Sequence, residues 1–339
     1  MSLIVPARNE EKVIGKCLKS ILSLSYPKEK MEIIVAIDGS NDKTEKISKS
    51  FGKRVRVINS CPKKCKGDAI NNVLPKCKGK IIGIYDADCI VDKNCLKEAV
   101  RHFEDDNVAG VCGNLKSHNK NQSLVARSLS LETNFISFFE YFLNGLGANS
   151  HFSGKNMFIR KDVLKKVGGF DTLTFIEDIE MSLKLKDKGY RTVFEPNAIA
   201  WNEEPVSVSS FVKQRMRWAR GSIRMLKYKR RKGKKLLSDL MHGVYFYTPP
   251  FGLITATVLA IFLYFGLPLF LTAPVLGLFI FTMSLIVLSR IKMKEPLRDL
   301  AYLPVWFILS NIQLVLIFKA IIDEKLGKGI SWNSVRALP

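Results

Sequence analysis

Short runs of β-branched and aliphatic residues alternate with longer amphipathic stretches over the first part of the chain. Residues 3–5, 31–37, 55–58 and 81–85 read as strands, and residues 11–22 and 43–51 read as helices between them. Strands alternating with helices predict an α/β fold whose mostly parallel sheet is covered on both faces. In such sheets ligands gather beyond the carboxyl ends of the strands. Three polar clusters fall at those ends: Asn9-Glu10, Asp38-Gly39-Ser40 and Asp86-Ala87-Asp88. Turn chemistry accounts for any one of them, because Asp, Asn and Gly favour turns. Three at successive strand ends favour a shared site.

The second part has a different pattern. Residues 206–226 look amphipathic, with Phe211, Val212, Met216, Met225 and Leu226 set among Lys213, Arg215, Arg220 and Arg224. Such a helix suits a membrane surface. Residues 245–265 are apolar and long enough, at about 20 residues, to span a bilayer. Gly266-Leu267-Pro268 breaks that run, and residues 269–289 form a second span. The basic loop Arg290-Ile291-Lys292-Met293-Lys294 follows and belongs on the cytoplasmic side by the positive-inside bias. Residues 300–322 are a weaker third candidate that carries Pro304, Asn311 and Gln313. Buried helices of a soluble protein are the alternative, but they seldom form such a block without charges. Three full spans would place residues 332–339 across the membrane from a cytoplasmic catalytic domain. A re-entrant or interfacial third segment would keep them on the same side. The expected organisation is a catalytic α/β domain over 1–205, an interfacial amphipathic and basic juxtamembrane region over 206–242, a transmembrane region of two or three helices over 243–322, and a tail over 323–339.

Composition narrows the partners. A chain of 339 residues accommodates one catalytic domain of about 200–250 residues plus an appendage. The net charge of +22 suits nucleic acid, an anionic membrane or phosphorylated substrates. The densest basic run, residues 227–235, stands immediately before the apolar region and reads as a cytoplasmic juxtamembrane anchor. No nucleic-acid partner is expected, because no aromatic platform is interleaved with the charge. The seven cysteines, Cys17, Cys61, Cys65, Cys77, Cys89, Cys95 and Cys112, read as reduced thiols of a cytoplasmic domain. Cys61, Cys65 and Cys77 lack a nearby fourth ligand that would complete a zinc site. The chain opens into the apolar strand Ser2-Leu3-Ile4-Val5-Pro6, with no secretory n-region or h-region before it.

Four groups of residues carry candidate chemistry. Asp86 and Asp88 alternate along an extended segment and so share a side. Paired carboxylates are costly without a cation, which Mg²⁺ or Mn²⁺ with a substrate diphosphate would supply. Asp38 could accept hydrogen bonds from the base or ribose of a nucleotide, and Asp42 or Ser40 could cap the following helix. Glu177 and Asp178 precede an amphipathic stretch over 179–188, near a helix N-terminus that favours carboxylates. One of the pair could act as a base toward a substrate hydroxyl. Gln214, Arg217 and Trp218 share one helix face by their spacing. Arg suits phosphate oxygens and Trp suits a sugar ring.

Together these stretches resemble the membrane-bound family 2 glycosyltransferases, above all the processive branch of poly-N-acetylglucosamine, hyaluronan, chitin and cellulose synthases. The resemblance runs in order through Val5-Pro6-Ala7-Arg8-Asn9-Glu10, Asp38-Gly39-Ser40, Asp86-Ala87-Asp88, Gly168-Gly169-Phe170-Asp171, Glu177-Asp178 and Gln214-Arg215-Met216-Arg217-Trp218. It covers residues 3–226, and the tail over 332–336 is similar to the end of poly-N-acetylglucosamine synthases. It implies a GT-A nucleotide-sugar-binding domain and inverting transfer from a UDP-sugar to a growing polysaccharide, assisted by Mg²⁺ or Mn²⁺. Single-sugar transfer to a lipid, as in ceramide glucosyltransferases, is the alternative, and a non-catalytic polymer-binding subunit is the rival from another class. On the resemblance, Pro6, Ala7, Asn9, Glu10 and Asp38 would line the donor, Asp86 would face it, and Asp88 would ligate the metal. Asp178, with Glu177 beside it, would be the general base. Ser153, Gly154 and Asn156 would line the acceptor entrance, and Gln214, Arg217 and Trp218 would hold the pyrophosphate and the acceptor end. The family usually has Gly-Lys where this chain has Gly67-Asp68, so a donor contact is either missing or supplied by Lys66. Most processive members also carry transmembrane helices before the catalytic domain, and none is read here. Two or three spans are few for a polymer channel, so a homo-oligomer, an accessory translocation subunit or a non-translocating role is expected.

Overall fold

The structure is a computed structural model that describes residues 1–60, 65–172, 176–231, 258, 260–262, 264–266 and 268–327. The apolar segment expected over 245–265 lies outside the described residues except for some of its last positions, as do Cys61, the end of the basic run at 232–235 and residues 328–339 of the tail, whose first residues belong instead to the last helix. The described chain forms two compact units, one of Met1–His118 with Glu140–Glu203 and one of Asn119–Phe139 with Glu204–Pro339.

The first unit is built on an eight-stranded sheet. In chain order its elements are β1 (Ser2–Ala7), α1 (Ile14–Leu22), β2 (Glu32–Asp38), α2 (Thr44–Lys49), β3 (Arg56–Ser60), α3 (Lys66–Val73), β4 (Ile81–Ile84), β5 (Ile90–Val91), α4 (Cys95–Val100) and β6 (Val108–Ser117). After α5 (Leu124–Gly145), in which the chain passes from the second unit back to the first, come β7 (Met157–Arg160), α6 (Lys161–Lys166), α7 (Glu177–Asp187) and β8 (Arg191–Asn202). The spatial order is β3-β2-β1-β4-β7-β6-β8-β5. The four strands expected from the sequence are β1 to β4, and they pair in parallel, with Ser2–Ala7 facing Glu32–Ile37 residue for residue. β7 lies antiparallel between β4 and β6, and β5 is antiparallel to β8, so the sheet is mostly but not wholly parallel.

Period-two alternation divides each strand between two cores. Leu3, Val5, Ile33 and Val35 face one cluster with Ile14, Leu18 and Ile21 of α1 and Leu96 of α4. Ile4, Ile34, Ala36, Ile82 and Ile84 face the other, with Ile70 and Val73 of α3, Leu164 of α6 and Met181 and Leu185 of α7. Burial on both sides explains why these strands read as unbroken apolar runs. The α-helices therefore sit on a rigid platform whose carboxyl ends carry the polar clusters.

The second unit holds the first part of α5, then α8 (Val208–Arg231), α9 (Leu269–Lys292) and α10 (Leu303–Lys325), with a 3₁₀ turn at Leu297–Tyr302. Two stretches, Thr272–Lys292 and Leu297–Lys325, are long and apolar enough to cross a membrane. The expected basic loop after the second span begins inside α9 instead. Arg290 is 1% exposed and donates from Nη2 to Asp299 Oδ2 at 2.8 Å. Lys120 and Arg127 also reach the Asp299 carboxylate, at 3.1 and 3.2 Å. Burying one carboxylate among three cations satisfies its lone pairs and fixes the turn between α9 and α10.

Candidate active site

In the first unit the carboxyl ends of β1, β2 and β4 carry the predicted donor residues. Pro6 and Ala7 lie within β1, buried opposite Ala36 and Ile37. Asn9 follows at φ 56°, a left-handed conformation that Asn tolerates better than most residues. Its side chain accepts from Asn41 N–H at 2.9 Å, and its own N–H donates to Ser40 Oγ at 3.1 Å. Glu10 N–H donates to Thr44 Oγ1 and Glu11 N–H to Asp42 Oδ2, so the loops after β1 and β2 are laced together. Asp38 is buried at the end of β2, with Arg8 Nη1 3.6 Å from its carboxylate. Arg8 was not singled out from the sequence as a site residue, although its position in the first motif places it there. Asp42 was expected, with Ser40, as a cap of the following helix; the cap residue of α2 is Lys43, and Asp42 beside it accepts from Thr44 N–H at 3.0 Å.

Lys66 joins the remaining parts. It opens α3, is 7% exposed, and its Nζ lies 2.6 Å from Asp86 Oδ1 and 3.3 Å from Glu177 Oε1. It also donates to the Gly154 carbonyl at 2.8 Å. Burial opposes its charge, but Asp86, Glu177 and Asp178 outweigh burial and raise its pKa, so Lys66 is a fixed cation. α3 can hold this position because Gly67 meets the backbone of the motif loop: a Cβ there would stand 2.4 Å from the Asp171 carbonyl oxygen. Asn71 on the same helix brackets Phe170, accepting its N–H at 2.9 Å and donating to its carbonyl at 2.8 Å. Gly168 and Gly169 turn at φ 83° and 71°, a region glycine enters without a Cβ penalty.

Asp178 stands in the first turn of α7. Its Oδ2 accepts from Gly154 N–H at 2.7 Å and its Oδ1 from Ile179 N–H at 2.9 Å. Burial and the neighbouring Glu177 charge raise its pKa to about 6, against the pull of Lys66 and the two N–H groups. A carboxyl group tuned there is a carboxylate at neutral pH yet basic enough to take a proton. The backbone of Ser153 and Gly154 thus faces Asp178 and Lys66. Asn156 is fully buried, and its amide donates to the Ala198 and Asn114 carbonyls where β6 meets β8. Its side chain thereby braces the platform, while the neighbouring Lys155 reaches to 3.8 Å from Asp88.

Among the described residues no three His, Cys, Asp or Glu side chains form a metal cage. Mg²⁺ and Mn²⁺ sites at diphosphates often need only one or two carboxylates, with phosphate and water completing the shell. Asp88 fits that demand. Burial and the nearby Asp86 and Glu203 charges raise its pKa despite Lys155, so a further cation would relieve it. Asp86 is engaged by Lys66 and would face a donor from beside the ion. Of the three candidate zinc cysteines, Cys61 lies outside the described residues, while Cys65 Sγ lies against the Thr172 carbonyl and Cys77 Sγ against that of Val73, each a separate local contact.

In the second unit Gln214, Arg217 and Trp218 lie on α8, half-buried. Arg215, expected on the polar side of this helix, is instead 4% exposed. Its Nη2 donates to Glu132 Oε2 of α5 at 2.9 Å, and its guanidinium lies 4.4 Å from the Trp218 ring centre and 5.1 Å from that of Phe211. An Arg between two rings and a carboxylate is planar, stacked and paired at once. Helical periodicity could not have revealed this, because Glu132 is 83 residues away.

Residues 1–221 match the family described as "Glycosyltransferase like family 2". The chain is 33% identical over 264 residues to the probable glycosyltransferase YdaM of Bacillus subtilis (strain 168), covering 73% of this chain and 62% of that protein. It is 27% identical over 359 aligned residues to a poly-beta-1,6-N-acetyl-D-glucosamine synthase of Staphylococcus epidermidis, covering 98% of this chain and 86% of that one. It is 30% identical over 255 residues to a beta-monoglucosyldiacylglycerol synthase of Nostoc sp. (strain PCC 7120), covering 71% of this chain and 54% of that protein. The aligned part thus spans less than two thirds of the Bacillus and Nostoc proteins. Among solved structures, a mannosyltransferase from Pyrobaculum calidifontis in complex with GDP-Man and Mn²⁺ superimposes with a TM-score of 0.64 at 21% identity, over 97% of this chain and 87% of that one. The fold is accordingly GT-A-like.

Proposed function

Because this chain belongs to the glycosyltransferase-like family 2, we propose that it is a membrane-associated inverting transferase that moves a sugar from a nucleotide-sugar, a UDP-sugar, to a growing polysaccharide. The observation that carries the mechanism is the placement of Asp178 against Gly154 N–H, beside Lys66 and Glu177. Asp178 removes the proton of an acceptor hydroxyl presented over the Ser153-Gly154 backbone, and the alkoxide oxygen attacks the anomeric carbon from the face opposite the diphosphate. The bond to the nucleoside diphosphate breaks as the new glycosidic bond forms, so no covalent enzyme intermediate is required. Lys66 keeps Asp86 and Glu177 in register with the base and offsets part of the negative charge the donor brings. Asp38 and Arg8 lie at the β2 end where a nucleoside would be recognised. A divalent ion held by Asp88 would supply charge neutralisation to the departing diphosphate. Gln214, Arg217 and Trp218 are assigned to the diphosphate and the acceptor end by their residue types and spacing.

A polysaccharide product is favoured because the Staphylococcus epidermidis synthase aligns over nearly the whole chain. A glycolipid product is the second reading, supported by the likeness to the Nostoc glucosyldiacylglycerol synthase. The buried, engaged carboxylates Asp88 and Asp178 speak against a non-catalytic scaffold. The localisation proposed is the cell membrane, with the first unit on the cytoplasmic side where nucleotide-sugars are found.

The test is to incubate membranes carrying the chain with radiolabelled UDP-sugars and GDP-mannose, with Mg²⁺ or Mn²⁺, and to separate products by size and by organic extraction. Large water-soluble product from one donor, absent in Asp178→Asn, is expected. A single-sugar lipid product would move the assignment to glycolipid synthesis, and no turnover with any donor and acceptor would overturn the enzymatic reading.

A further inference from the structure

Within the second unit α8 and α10 are joined at two levels. Leu309 of α10 packs in one buried cluster with Phe211 of α8 and Leu129 of α5. Farther along, Glu324 of α10 accepts from Arg220 Nε at 2.7 Å and from Arg224 Nε at 2.9 Å, both on α8, and Lys227 Nζ reaches the Glu324 carbonyl at 3.3 Å. Between those contacts α8 advances about 14 Å to Arg220 and about 20 Å to Arg224, and α10 about 22 Å, at the helical rise per residue. Similar advances in the same direction mean that the two axes run side by side over most of their length.

This alignment constrains where α10 can lie. Lys213, Arg215, Arg217, Arg220, Arg224 and Lys227 all fall on the stretch of α8 that α10 accompanies. So many cations exclude α8 from the hydrocarbon centre. Yet α10 is apolar and long enough to cross a bilayer when judged by composition alone. We infer that α10 lies along the membrane surface beside α8 instead of crossing, with its exposed apolar stripe in the lipid of one leaflet and both its ends on the same side of the bilayer. The inference rests on the membrane reading proposed above.

The distribution of exposed residues agrees. On α10, Ile308, Val315, Phe318, Ile321 and Ile322 are exposed, and their spacing keeps them on less than half of the circumference. The opposite side is buried and includes Ser310, Gln313 and Asp323. Lys319 flanks the stripe with its side chain 57% exposed, and a lysine on an in-plane helix reaches the headgroups readily. On α9 the exposed Leu276, Leu278, Ile280, Phe281 and Leu288 spread over more than half of the circumference, as expected of a helix surrounded by lipid. One membrane-crossing helix and one surface helix therefore replace the two spans that hydropathy suggests among the described residues.

The test uses the full-length chain in sealed right-side-out and inside-out vesicles. Arg298→Cys and Lys325→Cys, at exposed positions before and at the end of α10, are reacted separately with a membrane-impermeant maleimide, with the unsubstituted chain as background. Labelling of both in the same vesicle orientation is expected. Labelling in opposite orientations would overturn the inference while leaving the membrane reading intact. Recovery of the chain in the supernatant after sedimentation of the vesicles would instead remove the membrane reading and the inference with it. Leu297→Cys and Leu326→Cys, 50% and 66% exposed, provide a second pair should either charged position prove essential to folding.

Discussion

Gly154 donates its backbone N–H to Asp178 Oδ2 at 2.7 Å. A loop after α5 and the first turn of α7 are thereby fixed to each other through the carboxylate assigned as base. Replacing Asp178 by Asn retains the size of the group and removes its basicity. Transfer should fall by about 10²–10⁴-fold, the usual contribution of a positioned base, while nucleotide-sugar binding measured by calorimetry stays within a few-fold. Full activity in Asp178→Asn would sink the base assignment.

The same carboxylate predicts a pH profile. Its pKa is raised to about 6 by burial and by Glu177, and the base must be ionised, so kcat/KM should rise with pH through about 6 and then level off. Glu177→Gln removes one of the charges that raise it and should move this limb to lower pH. An unmoved limb would show that another group controls it. Stability has the opposite sign. The folded state favours protonated Asp178, so this contribution is complete below the unfolded pKa near 3.8 and is lost as pH rises to about 6. Asp178→Asn, which does not titrate, should therefore flatten the fall in melting temperature that the parent chain shows as pH rises from about 4 to about 6.

Gly154→Ala is expected to separate activity from folding. The added Cβ would stand 2.8 Å from Lys66 Nζ and 3.1 Å from Asp178 Oδ2. The lysine end can swing away at little cost to the fold, but its contacts with Asp86 and Glu177 would loosen. Activity should drop roughly 10-fold or more, a misplacement effect, with little change in melting temperature. A large loss of stability would mean that the loop is structural first.

Asp88→Ala should abolish the part of donor binding that depends on Mg²⁺ or Mn²⁺. Titration of a nucleoside diphosphate with and without the ion checks this: the parent chain should show the ion-dependent gain and the variant should not. An equal gain in both would remove Asp88 as the ligand.

Arg215 and Glu132 form a buried pair, each about 4% exposed or less. Arg215→Met leaves the Glu132 carboxylate unpaired, and burial already raises its pKa in spite of Arg215. The single change should cost about 3–5 kcal/mol, and the double change Arg215→Met with Glu132→Leu should recover much of that loss. Melting curves of the three variants test the coupling, and additive losses would refute it.

Strands β1 to β4 and the clusters at their ends were legible because a strand buried on both faces and ending in Asp or Asn has a local signature. The antiparallel β7, the long β6 and β8, and the bracing by Asn156 were not, since register between distant segments leaves no periodic trace. Lys66 was suggested only as a substitute for a family lysine, and its three-way engagement of Asp86, Glu177 and Gly154 depends on Gly67 meeting Asp171. Arg215 was assigned to the polar side of α8 by its type, whereas Glu132 and two rings draw it inward. The third apolar segment was left between crossing and surface placement, because hydropathy measures lipid preference and not direction.

The six described thiols, Cys17, Cys65, Cys77, Cys89, Cys95 and Cys112, are unpaired and buried, and burial pushes those of Cys65 and Cys95 up to about 12. Thiolate is the species that alkylates, so in the native first unit these six thiols should consume almost no iodoacetamide. Each molecule that opens would expose several reactive sulfurs together. The count of modified cysteines by intact-mass measurement would then read the opening of this unit without an added dye or tag, even in a crude membrane where calorimetry fails.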